Sequence, residues 1–321
     1  TDRVKVTAGM RGTWVNKDLD QNLYSGTGTQ NFGGVVQLPA SVAPLANALS
    51  GPAIARSLTR TDHAWLPSAK VQFKMDQASM LYASYAKGFK AGGINAASAG
   101  ATDTLPFLPE WVDAYEIGMK NKWDQALLNV AVFRGDYKDL QTAVSILNAT
   151  GGVTNVVNNV GVAVSQGVEI EGQWKINPKF RLSANITYLD AHYESFPNSP
   201  PTELQKLSGA RNQDLSGRPT QYSPRWSGSI TGSYTVNLPG EYRMPAELSP
   251  IYSSSYYANV LDDELYKQDA YMRLDGRLTL QAPGGRWSFD LIGKNLNNRT
   301  IVTYGITQGT VYNEQKVQPR S

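Results

Sequence analysis

The chain has 321 residues, 41% of them hydrophobic, with a mean hydropathy of −0.37 and a formal net charge of +3. That charge is too small to argue for nucleic acid, and no run of about 18 apolar residues exists that would make a transmembrane helix. The absence of cysteine rules out a disulfide framework and thiolate metal sites.

The first predicted element sets the pattern. Val4, Val6, Ala8, Met10, Gly12 and Trp14 alternate with Arg3, Lys5, Thr7, Gly9, Arg11 and Thr13, which is a strand with one apolar and one polar face. A polar stretch over Lys17–Asp62 reads as a long loop. Ala69, Val71, Phe73 and Met75 then alternate with Ser68, Lys70, Gln72 and Lys74, and a tight turn at Asp76–Ser79 opens a third strand. That strand, "MLYASYAKGF", carries aromatics on both columns and cannot be phased. After a loop beginning "AGGIN", strands are expected over Trp111–Lys122 and Ala126–Gln141, with a loop at Asn148–Thr154. From Val164 to Ile176 the even positions are Val, Gln, Val, Ile, Gly, Trp, Ile and the odd ones Ser, Gly, Glu, Glu, Gln, Lys. "NPK" turns this strand into Phe180–Tyr188. A long loop over Ser195–Gln221 leads to Trp226–Val236, "LPGE" turns into Ala246–Ala258, and Tyr271–Leu280 turns through "APGG" into Trp287–Lys294.

About eleven long strands result, with short turns and long loops in strict alternation. A Greek-key sandwich scatters its loop lengths over both ends, whereas an outer-membrane barrel keeps short turns on one side and long loops on the other. Full charges recur in mid-strand on the polar columns, at Lys70, Lys74, Glu169, Glu171, Arg273, Asp275, Arg277, Asp290 and Lys294. Such ladders suit a hydrated interior. Seven Trp and seventeen Tyr against eight Phe suit a membrane–water boundary. The fold class expected is all-β, an antiparallel transmembrane β-barrel present as an incomplete wall. Thr1 opens almost directly onto a strand with no signal peptide before it, so the chain reads as a piece of something longer.

Six segments then appear in order: "LYASYAKGFKAGGIN" (Leu81–Asn95), "EWVDAYEIGMKNKW" (Glu110–Trp123), "VFRGDYKDLQ" (Val132–Gln141), "GVEIEGQW" (Gly167–Trp174), "DLSGRPTQYSPRW" (Asp214–Trp226) and "GKNLNNRT" (Gly293–Thr300). Together they resemble the C-terminal part of the barrel of TonB-dependent outer-membrane receptors. The resemblance implies a barrel of about 22 strands closed by an N-terminal plug. Residues 1–321 would hold roughly strands 11–21 of 22, with the plug, the TonB-contacting segment and the final strand outside the chain, which stops at "QPRS" (Gln318–Ser321). It further implies a bacterial outer-membrane location and uptake of a nutrient complex, a ferric siderophore above all. The implied partners are outer-membrane lipid, the TonB complex acting through the absent plug, and a small-molecule or metal-chelate ligand. No nucleic acid and no cofactor is implied. A passive porin-like channel and a soluble carbohydrate-binding β-protein are the alternatives.

The residues offer no catalytic constellation and no metal set. His63 and His192 stand singly, without the paired spacing of a metal site. There is no GxSxG, and "GTGTQN" (Gly26–Asn31) lacks the third glycine of a dinucleotide fingerprint. Glu169 and Glu171 share a strand face and read as lumen charges rather than a glycosidase pair. The chain is therefore not expected to be an enzyme. Ligand-binding candidates are the polar and aromatic residues expected at the outer strand ends and in the loops: His63, Trp65, Arg134, Asp136, His192, Arg211 and Arg218.

Overall fold

The structure, a computed structural model, describes residues 3–23, 28–31, 34–37, 54–95, 106–147, 153–308 and 311–316. Eleven strands form its wall: β1 Val4–Leu23, β2 Ile54–Lys74, β3 Ser79–Lys90, β4 Glu110–Lys122, β5 Ala126–Lys138, β6 Val162–Lys175, β7 Phe180–Ser195, β8 Trp226–Asn237, β9 Arg243–Ser253, β10 Tyr271–Gln281 and β11 Ser288–Gly293. They join in chain order, each antiparallel to the next. A meander with no crossovers is what a barrel wall requires. Among the described residues no ladder joins β1 to β11, so the sheet is open and both are edges.

Short turns connect β2–β3, β4–β5, β6–β7, β8–β9 and β10–β11, and the long connections all lie at the other end. Two of those long connections carry extra structure. A hairpin, Gln141–Leu147 with Val153–Asn159, stands on the β5–β6 connection. A short helix α1, Glu203–Leu207, lies in the β7–β8 connection, where Thr202 caps it and Gln205 reaches back to complete a capping box.

Register settles the phase of every strand. Val4 faces Phe73, Val6 faces Val71, Phe73 faces Leu81 and Leu81 faces Met119. The apolar column of β3 is thus Leu81, Ala83 and Tyr85, and Tyr82 falls on the charged face. Of the residues expected on the apolar face, Val6 is 68% exposed, Met10 64%, Phe289 65% and Leu291 63%. Val4, Phe73, Ile170, Ile186, Ile230 and Leu278 are also exposed, and Val168, Leu182 and Leu274 are half-buried. None of them joins a closed core. A soluble sandwich would have hidden these columns, because burying a side chain of this size is worth about 1.5–3 kcal/mol.

Aromatic residues bracket the apolar band. Trp65 and Phe73, Tyr115 and Trp123, Phe180 and Tyr188, and Trp226 and Tyr234 are each eight positions apart on their strand or its adjoining turn. At about 3.4 Å per residue that is about 27 Å along the strand, or near 20 Å across a bilayer after a tilt of roughly 40°. At the loop end Trp14 meets Trp65 edge-on with centroids 5.3 Å apart, and Tyr188 lies 4.9 Å from Trp226; at the turn end Tyr242 lies 5.9 Å from Trp287.

Three boundaries differ from the sequence expectation. β1 runs on to Leu23 and β2 begins at Ile54, paired throughout, so Lys17–Leu23 and Ile54–Asp62 are strand rather than loop. Backbone pairing continues there past the apolar band, where one column is polar and the other sets Leu19 and Leu58 among Lys17, Gln21 and Arg60, so the periodicity weakens. β5 stops at Lys138 and a separate hairpin begins at Gln141; β9 is Arg243–Ser253 rather than Ala246–Ala258. Gly26, much of the Lys17–Asp62 stretch, most of Asn148–Thr154 and Gln318–Ser321 lie outside the described residues.

Most of the buried apolar residues sit at the loop end; Tyr82 and Ala282 are exceptions. Val156, Val160, Ala163, Tyr193, Phe196, Leu215 and Val260 pack together, drawing on the β5–β6, β7–β8 and β9–β10 connections. A second cluster joins Ala258, Tyr266 and Val302. The wall is thus stabilised by its ladders, and the loops by their own small cores. After β11 the chain folds back on β10 through asparagines: Leu274 N donates to the Asn297 carboxamide oxygen at 3.0 Å, and Asn297 Nδ2 donates to Met272 O at 2.7 Å. Asn295 and Asn298 take positive φ here, a conformation asparagine tolerates better than most residues.

Candidate functional site

The charged face is organised around Tyr82. Its hydroxyl donates to Glu116 at 2.5 Å, and Lys70 and Lys120 stand over its ring at 4.7 and 5.7 Å from the centroid. Tyr82 lies directly opposite Gly118, whose missing side chain makes room for the ring: a Cβ there would come within 2.6 Å of it. Phe133 lies over Gly167 in the same way, with 3.0 Å to a Cβ at that position. A cavity of about 430 Å³ opens against this surface between Ala86, Val112, Glu116, Phe133, Tyr137 and Glu169. Farther along, Asn129 donates to Glu171 at 2.9 Å, and Arg273 holds Asp275 through two contacts of 3.0 and 2.9 Å. Of the mid-strand charges, Arg273 thus pairs with Asp275 and Arg277 with Asp290, while Glu171 takes its hydrogen bond from a neutral amide.

A side chain at Gly118 must displace Tyr82. Gly118→Val is expected to destabilise the folded protein by about 1–3 kcal/mol, read as a lower urea midpoint. Gly172→Val, on a glycine with only one distant neighbour at 3.9 Å, should cost much less.

The seven candidate residues do not converge on one point. His63 faces Trp14 in register, and Trp65 meets Trp14 edge-on, so both stand on the apolar column just at its aromatic rim. Arg134 shares its column with Val130 and Val132, and His192 shares its column with Ile186 and Tyr188. Arg134 donates to Asp136 at 2.9 Å and to Gln166 at 2.8 Å; Gln166 donates to Asp190 at 3.1 Å, and His192 Nδ1 lies 3.2 Å from Asp190. Arg134, Asp136 and His192 are thus joined, through Gln166 and Asp190, in one polar chain across β5, β6 and β7. It lies on the face away from the Tyr82 cluster. Arg211 is exposed on the β7–β8 connection. Arg218, on the same connection, donates to Asp262 at 3.1 Å and lies 5.9 Å over the Tyr257 ring. Among the described residues no three His, Cys, Asp or Glu side chains are grouped to hold a metal ion.

Sequence reasoning missed Tyr82, Glu116 and Lys120. The glycine opposite Tyr82 was the available signal, but it is readable only once the register between β3 and β4 is known. It also missed Asp262, a buried carboxylate whose one oxygen has no partner. Loss of water pushes its pKa up to about 6, against the offsetting effect of Arg218.

Comparison with known proteins accounts for this arrangement. Residues 1–296 match the family described as TonB dependent receptor-like, beta-barrel. The pesticin receptor of Yersinia pestis is 23% identical over 230 residues, which are 72% of this chain and 31% of that receptor. The pesticin receptor of Yersinia enterocolitica is 24% identical over the same length. The chain thus spans about a third of the length of these curated relatives. Among solved structures, the ferric yersiniabactin uptake receptor FyuA of Yersinia pestis superposes with a TM-score of 0.74 at 19% identity, covering 100% of this chain and 42% of that one. The siderophore receptor PiuA of Acinetobacter baumannii gives 0.67 at 18% identity, covering 100% of this chain and 40% of that one. The open meander, the two aromatic rims and the wet inner face are therefore those of a barrel wall, and the chain belongs to the TonB-dependent receptor β-barrel family, whose members are outer-membrane transport receptors.

Proposed function

We propose that the chain is the C-terminal half of the wall of an outer-membrane receptor that takes up a ferric siderophore, with energy delivered through TonB. The match over residues 1–296 carries the reading, and relatives named as siderophore receptors support its ligand class. In this reading the chain holds roughly strands 11–21 of 22. The plug and the TonB-contacting segment belong to the remainder of the protein. The exposed apolar columns face outer-membrane lipid, and the Tyr82 face lines the lumen. Among the seven candidates, Arg211 and Arg218 lie on a loop rather than on a lipid-side column. They are the two proposed to meet an anionic complex, because a guanidinium binds carboxylate or phenolate-type oxygens in a fork.

The test expresses the full-length protein in cells with and without TonB and follows uptake of labelled ferric complexes. Saturable accumulation that is lost without TonB is expected. Equal accumulation in both strains, linear in external concentration, would make the barrel a passive porin.

A further inference from the structure

Two of the ladders in the wall lapse partway along, and both belong to β9. Between β8 and β9 the pairing runs from Asn237 with Arg243 to Gly232 with Leu248 and resumes at Ser229 with Ile251, so Ile230–Pro250 and Thr231–Ser249 are skipped. Between β9 and β10 it lapses after Arg243 with Gln281 and resumes at Ala246 with Leu278, skipping Met244 and Pro245. The other wall ladders run unbroken among the described residues, apart from one register shift at Val162/Ala163 at the loop end of β6. β9 also holds two of the three prolines in the wall strands. The third, Pro67, stands where the β2–β3 ladder stops, one residue past Ser68.

Proline explains both lapses, because it has no N–H to give to the strand beside it. In an antiparallel sheet successive residues turn their N–H and C=O to opposite neighbours. Pro245 and Pro250 are an odd number of residues apart, so one gap falls on each side of β9. Pro250 leaves the Ile230 carbonyl opposite it without a ladder donor, and Ile230 lies midway between Trp226 and Tyr234. In a soluble sheet water would fill such a gap. In hydrocarbon it does not, and a backbone group left unpaired there is costly. One side-chain bond spans the gap: the Thr231 and Ser249 hydroxyls lie 2.8 Å apart on the charged face. Opposite Pro245, Thr279 gives its hydroxyl to Asp290 on β11.

We propose that β9 is a seam built into the wall, a strand that loosens from both neighbours while the ladders beside it at the same depth stay closed. The β1–β8 side of the wall then shifts against β10 and β11 at gaps already present, with no intact pairing broken. The seam rests on the placement of the apolar band in lipid and goes beyond the uptake reading.

The experiment measures amide hydrogen exchange, residue by residue, on the full-length protein in lipid nanodiscs. Ile230, Gly232 and Leu248 should exchange about tenfold faster than Ile170, Ala184 and Ile186, which lie in the same band on β6 and β7. P250A restores an N–H opposite Ile230 and should slow Ile230 and Gly232 about fivefold, leaving β6 and β7 as they were. P245A should do the same for Thr279 and Gln281 on β10. It keeps the test open if P250A fails to fold, as judged by heat-modifiable gel mobility. T231V, which removes the bond to Ser249, should quicken exchange at Ile230 about threefold. P283A, in the β10–β11 turn, should change none of these rates. Exchange equally slow in all rows of the band would overturn the seam and leave the wall in lipid. So would unchanged rates at the gaps in folded P250A and P245A. Exchange equally fast in all rows would overturn the seam and the lipid placement together.

Discussion

Ile230→Arg should lower the stability of the membrane-inserted protein by about 2–4 kcal/mol, while Thr231→Arg on the next residue should cost about 1 kcal/mol or less. Ile230 lies midway between Trp226 and Tyr234, four positions from each, and is 47% exposed. In water an exposed isoleucine tolerates arginine. In hydrocarbon the guanidinium loses its hydration, and at mid-depth it is too far from either rim to snorkel. Thr231 points to the charged face, where its hydroxyl shares a 2.8 Å hydrogen bond with Ser249. Its replacement forfeits that one bond and places a charge among other charges in water. The pair is read by folding the full-length variants into vesicles and comparing urea midpoints. Equal, small effects at both positions would mean that the exposed apolar column faces water, and the wall reading would fall. Ile170, between Gln166 and Trp174 on β6, offers an independent site for the same contrast.

Much of this was legible beforehand, for a plain reason. Inside the apolar band each strand carries a period of two, and the period alone puts Val4, Phe73, Ile170, Ile230 and Phe289 on one face. It failed where chemistry did not differ between faces. β3 has Tyr82 on one column and Tyr85 on the other, and only the pairing of Phe73 with Leu81 decides between them. In Lys17–Leu23 and Ile54–Asp62 one column is interrupted by Lys17, Gln21, Arg56 and Arg60 between its apolar residues, so the alternation was too weak to mark them as strand. Among the candidate residues the parity was in plain view: Arg134 follows Val130 and Val132 by even steps, and His192 follows Ile186 and Tyr188. The choice of outer strand ends did not use that parity. The partner of Arg218 was hidden. Nothing in "NVLDDELY" says which acid is taken out of water.

That acid sets the second large expectation. The Asp262 side chain is 1% exposed and takes one hydrogen bond from Arg218, at 3.1 Å, across the β7–β8 and β9–β10 connections. Its other oxygen has no partner. Burial raises its pKa from the ordinary 3.8 to about 6, with Glu264 adding to the rise and Arg218 opposing it. Tyr193, Asp263 and Glu203 complete the titratable surroundings: Tyr193 feels Asp262, and Asp263, itself raised chiefly by burial, feels Glu203 and Glu264. A carboxyl whose folded pKa is raised contributes its full stability below the unfolded value, near pH 4, and loses it as pH rises through about 6. Over the whole span the rise to about 6 corresponds to about 3 kcal/mol, of which about 2 kcal/mol falls between pH 4.5 and 7.5, so the loop core around Leu215 and Val260 should be markedly more protected from hydrogen exchange at pH 4.5 than at pH 7.5, after correction for intrinsic rates. Asp262→Asn should remove most of that difference and raise protection at pH 7.5. Asparagine keeps a hydrogen-bonding oxygen for Arg218 and tolerates the positive φ of 51° at this position. Arg218 is about half exposed, with 49% of its side chain open, so it regains water rather than being stranded. Protection that rises with pH in the wild type, or falls at pH 7.5 in Asp262→Asn, would show that the charged pair holds the two connections together more strongly than its desolvation drives them apart.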